Sequence, residues 1–149
     1  MGDPLSLQAA VLCEDIRAEI NNKYTLIGVF GLDINLATLP GALNLAIYME
    51  HHTHQVGHFD GEMRLLDPED SPLLSINFTM DIDRVGGMLM PIGPFPVRLK
   101  TAGIHRFQIR FSADWIAIKN FSVNLDESLR ANARPGSIQG ATTHDAVAD

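Results

Sequence analysis

Four of the chain's six histidines fall within eight residues, in the run His51-His52-Thr53-His54-Gln55-Val56-Gly57-His58. Imidazole is the common ligand of zinc, nickel and copper, so a run of this kind reads first as a metal site. Strand residues two apart point to the same face. If the strand that starts near Ala42 continues through the run, His52 and His54 share a face and both reach one ion. His58, after Gly57, would fold back as the third ligand, with Glu50 and Asp60 as flanking carboxylates that orient the rings. The plainer alternative is a polar hairpin tip, where histidine is simply tolerated.

A second cluster lies over residues 96–112, which hold Arg98, Lys100, Arg106 and Arg110 and no acidic residue. Read as a hairpin, this stretch alternates Val97 and Leu99, then Phe107, Ile109 and Phe111, toward a core. The four basic groups then share the outer face of two adjacent strands. Such a face would take a small anion or the acidic surface of a partner. It could equally pair with acids on neighbouring strands, such as Asp81 and Asp83 or Asp60 and Glu62, at about 0.2–1 kcal/mol per cross-strand pair. Nucleic acid is not expected, because the formal net charge is −7 and no aromatic side chains interleave with the basic ones. The same charge argues against an anionic membrane surface.

Other arrangements that do chemistry are missing. The one cysteine, Cys13, sits in an apolar strand beside Leu12 and Val11, the setting of an inert buried thiol. One cysteine allows neither an intrachain disulfide nor a cysteine-based zinc site. Glu14 and Asp15 are neighbours on a strand and so point to opposite faces. There is no nucleophile elbow, phosphate-binding glycine loop or dinucleotide fingerprint. No catalytic residue and no cofactor are therefore expected. Trp115, the only tryptophan, is expected to fill the core or to close one end of it.

The elements that must position these residues are strands, since the dominant apolar period is two. Leu74, Ile76, Phe78, Met80 and Ile82 alternate with polar residues, as do Leu43, Leu45, Ile47 and Met49, and Phe107, Ile109 and Phe111. Strands at 8–16 and 24–31 are apolar on both sides, which suits doubly covered strands. Further strands are expected at 59–66, 97–101 and 114–125. In the last, the apolar phase shifts from Ile116 and Ile118 to Phe121, Val123 and Leu125, so either a bulge near Lys119-Asn120 or a strand crossing between sheets is expected. Gly86 to Pro96 reads as a loop around Met88-Leu89-Met90. With 149 residues and 46% hydrophobic content, the chain fits one domain with a real core. The expected fold class is all-β, a two-sheet antiparallel β-sandwich of about seven to nine strands. Residues 1–7 form an N-terminal arm, 8–125 the sandwich, and 126–149 a short helix over 126–133 followed by a disordered tail.

Two segments carry a family resemblance. One runs Ala10-Val11-Leu12-Cys13-Glu14-Asp15-Ile16-Arg17 and continues as Lys23-Tyr24-Thr25-Leu26-Ile27-Gly28-Val29-Phe30-Gly31. The other runs Ala102-Gly103-Ile104-His105-Arg106-Phe107-Gln108-Ile109-Arg110 and closes with Phe121-Ser122-Val123. Together they resemble a family of small uncharacterised bacterial proteins, a domain of unknown function, over residues 8–125. The Gly103 to Phe107 turn is also similar to the penultimate hairpin of immunoglobulin-like sandwiches. The resemblance implies an immunoglobulin-like fold and a bacterial, cytoplasmic setting, and it implies no reaction. The absence of a signal-peptide pattern and of cysteine pairs also points to the cytoplasm. The expected function is a non-enzymatic binding or structural interaction module that engages a protein partner or a second copy of itself. The alternative is a metal-binding protein or metal-dependent enzyme built on His52, His54 and His58.

Overall fold

Alternating side chains generate two inner faces that meet as one core. A computed structural model describes residues 2–112 and 114–132. In chain order the strands are β1 (Leu5–Ala18), β2 (Tyr24–Val29), β3 (Asp33–Leu36), β4 (Gly41–Thr53) and β5 (Gly57–Leu66). They continue as β6 (Pro72–Ile82), β7 (Gly86–Leu99), β8 (Gly103–Arg110) and β9 (Ile116–Leu125), followed by α1 (Leu129–Asn132). One sheet has the order β2-β1-β4-β7 and the other β3-β9-β8-β5-β6. Leu12, Leu45, Ile47 and Met49 from the first sheet pack against Met63, Leu65, Phe107, Ile109 and Phe121 from the second. The expected two-sheet sandwich is thus present. The strand pairs are antiparallel except β3 with β9, which run parallel.

The strand order makes the sandwich immunoglobulin-like. Such folds pair their second and fifth strands in one sheet, and place the third, sixth and seventh together in the other. With β4 as the second strand, β4 lies beside β7, while β5, β8 and β9 are contiguous. β1 begins at Leu5, which is buried opposite Thr53, so residues 5–7 belong to the sheet and not to an arm. The helix expected over 126–133 is the four-residue α1, and the expected disordered tail beyond it lies outside the described residues.

β1 and β2 explain their two apolar faces. Tyr24 pairs with Ala18 and Tyr48 pairs with Val11, seven residues back along β1. In a flat sheet these tyrosines would stand about 23 Å apart at roughly 3.3 Å per residue. Their ring centroids are 6.0 Å apart. The β1–β2 ribbon therefore bends back over the outer face of its own sheet. Cys13 and Ala46, which face away from the core, are accordingly buried, and burial raises the Cys13 thiol pKa.

Two local expectations change, and the bulge expected as one alternative in the last strand is present. The segment from Gly86 to Pro96 is strand and not loop. Its prolines are tolerated because β7 is an edge strand, bonded among the described residues only to β4, with no second ladder there to supply. The β4–β7 register slips between Leu45 and Ile47, where Gly93 adopts φ +103°. A Cβ at Gly93 would stand 2.9 Å from the Leu45 carbonyl oxygen, so only glycine fits. Residues 96–112 do not form a hairpin: β7 and β8 lie in different sheets, and the turn between them crosses the sandwich. The phase break in β9 is a bulge, with a register shift opposite Phe107 and Gln108, where Lys119 and Ala117 are their partners.

Candidate functional site

The fold disperses the histidine run. His51 and His52 lie at the end of β4 and His54 just beyond it, while His58 is on β5 in the other sheet. His52 and His54 are exposed with ring centroids 5.1 Å apart, and His54 Nε2 lies 2.9 Å from Ser6 Oγ. His58 Nδ1 meets Asp81 Oδ1 at 2.7 Å, and its Nε2 faces Asp60 Oδ1 at 3.7 Å. The Asp81 hydrogen bond raises the His58 pKa above its ordinary value, with the charge of Asp81 acting in the same sense. His51 turns inward and is buried. Among the described residues no three His, Cys, Asp or Glu side chains are placed to hold a metal ion. His52, His54 and His58 are not gathered as a set, because the chain crosses between sheets from Thr53 to Gly57.

The basic residues separate in the same way. Arg98 stands on β7 opposite Ala42, and Lys100 follows it in the crossing turn. Arg106 and Arg110 stand on β8, on the outer face of the five-stranded sheet. Arg106 pairs with Asp70 in the β5–β6 turn. Arg110 Nε donates to Glu62 Oε2 at 2.6 Å. Glu62 is one of the acids anticipated from sequence, whereas Asp81 is taken by His58.

Arg110 belongs instead to a constellation that sequence reading missed. Arg64 on β5 pairs with Gln108, and Glu62 pairs with Arg110, so Arg64 and Arg110 are diagonal neighbours on one face. Both guanidinium carbons lie over the ring of Trp115, at 3.9 Å and 4.6 Å from its centroid. Trp115 is thus half-buried on the outer face of the sheet, neither in the core nor closing its end. Arg64 Nε donates to Gln108 Oε1 at 2.8 Å. Each guanidinium is therefore fixed twice, by a bond at its Nε edge and by the indole face. Both bonds use Nε, so among the described residues the Nη groups keep their donors for a further acceptor.

Beside this platform the sheet has a gap. β5 is paired to β6 from Gly57 to Leu66, but to β8 only from Glu62 to Leu66. β8 ends at Arg110, so among the described residues the Gly57–Gly61 stretch has no partner strand on that side. An open depression of about 800 Å³ occupies this place, lined by Asp60, Glu62, Asn77, Thr79, Arg110 and Ser112 among others. Its floor is the edge-to-face pair of Phe78 and Phe111, with centroids 5.9 Å apart.

Fold and site together define an immunoglobulin-like domain with an aromatic and guanidinium platform on its five-stranded sheet. The chain belongs to the family of unknown function DUF6941, whose model matches residues 8–124. No curated protein matches it.

Proposed function

We propose that the domain is a non-enzymatic binding module whose five-stranded sheet engages a protein partner through Trp115, Arg64 and Arg110. The observation that carries this reading is the stacking of both guanidinium groups on the one tryptophan, 3.9 Å and 4.6 Å from its ring centre. Tryptophan and arginine are the side chains most enriched at the energetic centres of interfaces. Here their long rotamers are already fixed, which removes an ordering cost of about 0.5–1.5 kcal/mol per side chain on binding.

The group recognised is a carboxylate on the partner, since a guanidinium fork binds carboxylate with two parallel hydrogen bonds. Glu62 and Asp60 flank the platform, so the surface is mixed in sign and suits a single Asp or Glu side chain better than a polyanion. The adjoining depression and the unpaired edge of β5 give room for the partner's chain on either side of that contact.

The test uses the double variant Arg64→Gln, Arg110→Gln and a short peptide whose only charged side chain is one glutamate. The wild-type protein should show a saturable change at the Trp115 indole N–H in NMR spectra, and the variant none at equal urea midpoint. A variant that responds like the wild type would remove the platform from the binding surface.

A further inference from the structure

We infer that the domain also holds a small apolar molecule bearing one hydroxyl group, in a slot between its two sheets headed by His51. The slot has a volume of about 340 Å³, at the low end of the roughly 300–1,000 Å³ typical of ligand sites. Its walls are Leu5 and Leu7 from β1, Ile109 from β8, Phe111 just beyond it, and Ile116 and Ile118 from β9. Apart from Ser6, the polar side chain on this lining is His51.

His51 is 3% exposed, and neither its Nδ1 nor its Nε2 has a hydrogen-bond partner among the described residues. Neutral imidazole carries one donor and one acceptor, so both of its polar functions are unmet. Buried polar groups are almost always hydrogen-bonded, so an exception calls for an explanation, of which a bound group is one. The second buried histidine, His105, is satisfied at one nitrogen, while its Nε2 has no partner among the described residues. His105 places Nδ1 3.1 Å from the Gly103 carbonyl oxygen and stacks on Phe121 at 5.4 Å between centroids. His51 has neither kind of support.

The chemistry of the lining selects the ligand. Among the described residues no Lys, Arg, Asp or Glu lines the slot, so a charged head would enter with only an imidazole to meet it. Burying an ion pair in apolar surroundings is costly, whereas a neutral hydroxyl can give or take one hydrogen bond with either ring nitrogen. The apolar remainder of the molecule then covers Leu7, Ile109, Ile116 and Ile118.

The experiment compares phenol with toluene, the same ring with and without the hydroxyl. Both are titrated into the full, isotope-labelled chain while the His51 ring protons and the methyls of Leu7, Ile109, Ile116 and Ile118 are followed. Phenol should shift these signals saturably and bind about tenfold tighter than toluene, the ratio one buried neutral hydrogen bond supplies. His51→Leu should erase that preference while toluene still binds. Equal affinity of the wild-type protein for the two probes would overturn the inference, as would the absence of shifts at these residues. The wild-type comparison stands even if the variant fails to fold.

Discussion

Replacing His51 by leucine should make the protein more stable, against the usual direction of core substitutions. The imidazole is 3% exposed and both its nitrogens lack partners among the described residues, so folding strips it of water with no return. A buried polar group left unpaired costs about 1–3 kcal/mol. Leucine is of similar size and sits among Leu5, Leu7 and Ile109, which line the same slot. His51→Leu should therefore add about 1–3 kcal/mol in urea titrations at pH 8, with an unchanged denaturant slope. Burial also holds the folded-state His51 pKa below its ordinary value of 6.5. Between those two values the unfolded chain binds a proton that the folded chain does not. Stability from this group is thus fully present above about 6.5 and is lost as pH falls toward the folded value. The advantage of the variant should accordingly widen between pH 8 and pH 5.5. His105, whose pKa burial also lowers, acts in both proteins and cancels. A variant that is less stable than the wild type at pH 8 would refute the reasoning, because it would mean His51 is satisfied in the fold.

Two further outcomes follow from named contacts. A Cβ at Gly61 would stand 2.7 Å from Phe78 Cε2 and 3.1 Å from Phe111 Cε1, so Gly61→Ala must displace the aromatic pair. It should lower stability by about 1–3 kcal/mol in urea titrations, the range of an overpacked core. His58 should titrate above 6.5 by NMR, since its bond to Asp81 favours the imidazolium, and Asp81→Asn should bring the midpoint down. The pairing favours the folded state below the unfolded His58 pKa and fades as pH rises through the folded one.

The sheets were readable because each long strand has one wet and one dry face, so alternation in Leu74 to Ile82 or Leu43 to Met49 registers directly in the sequence. β3 escaped notice because four residues, Asp33–Leu36, carry too little alternation. β7 was hidden by Pro91, Pro94 and Pro96, which forbid a central strand but not an edge. The doubly apolar β1 was legible as doubly covered, though not what covers it; that depends on the ribbon bending back until Tyr24 meets Tyr48. The site was less legible, since alternation assigns a residue to a face without saying which strands share a sheet. Treating residues 96–112 as one hairpin joined Arg98 and Lys100 to Arg106 and Arg110, which the fold puts on different sheets. The partner that does matter, Arg64, reaches Arg110 only through the β5–β8 register. Trp115 then follows from the turn that leads into β9.

The binding role is tested most directly by the fluorescence of Trp115, the only tryptophan in the chain and the ring against which Arg64 and Arg110 stack. The protein is titrated with a short peptide containing one glutamate and no other charge, and separately with the same peptide carrying glutamine. A carboxylate-binding platform predicts a saturable change in emission with the glutamate peptide, weakened by salt, and a flat response to the glutamine peptide. The same response to both peptides, or none to either, would contradict it.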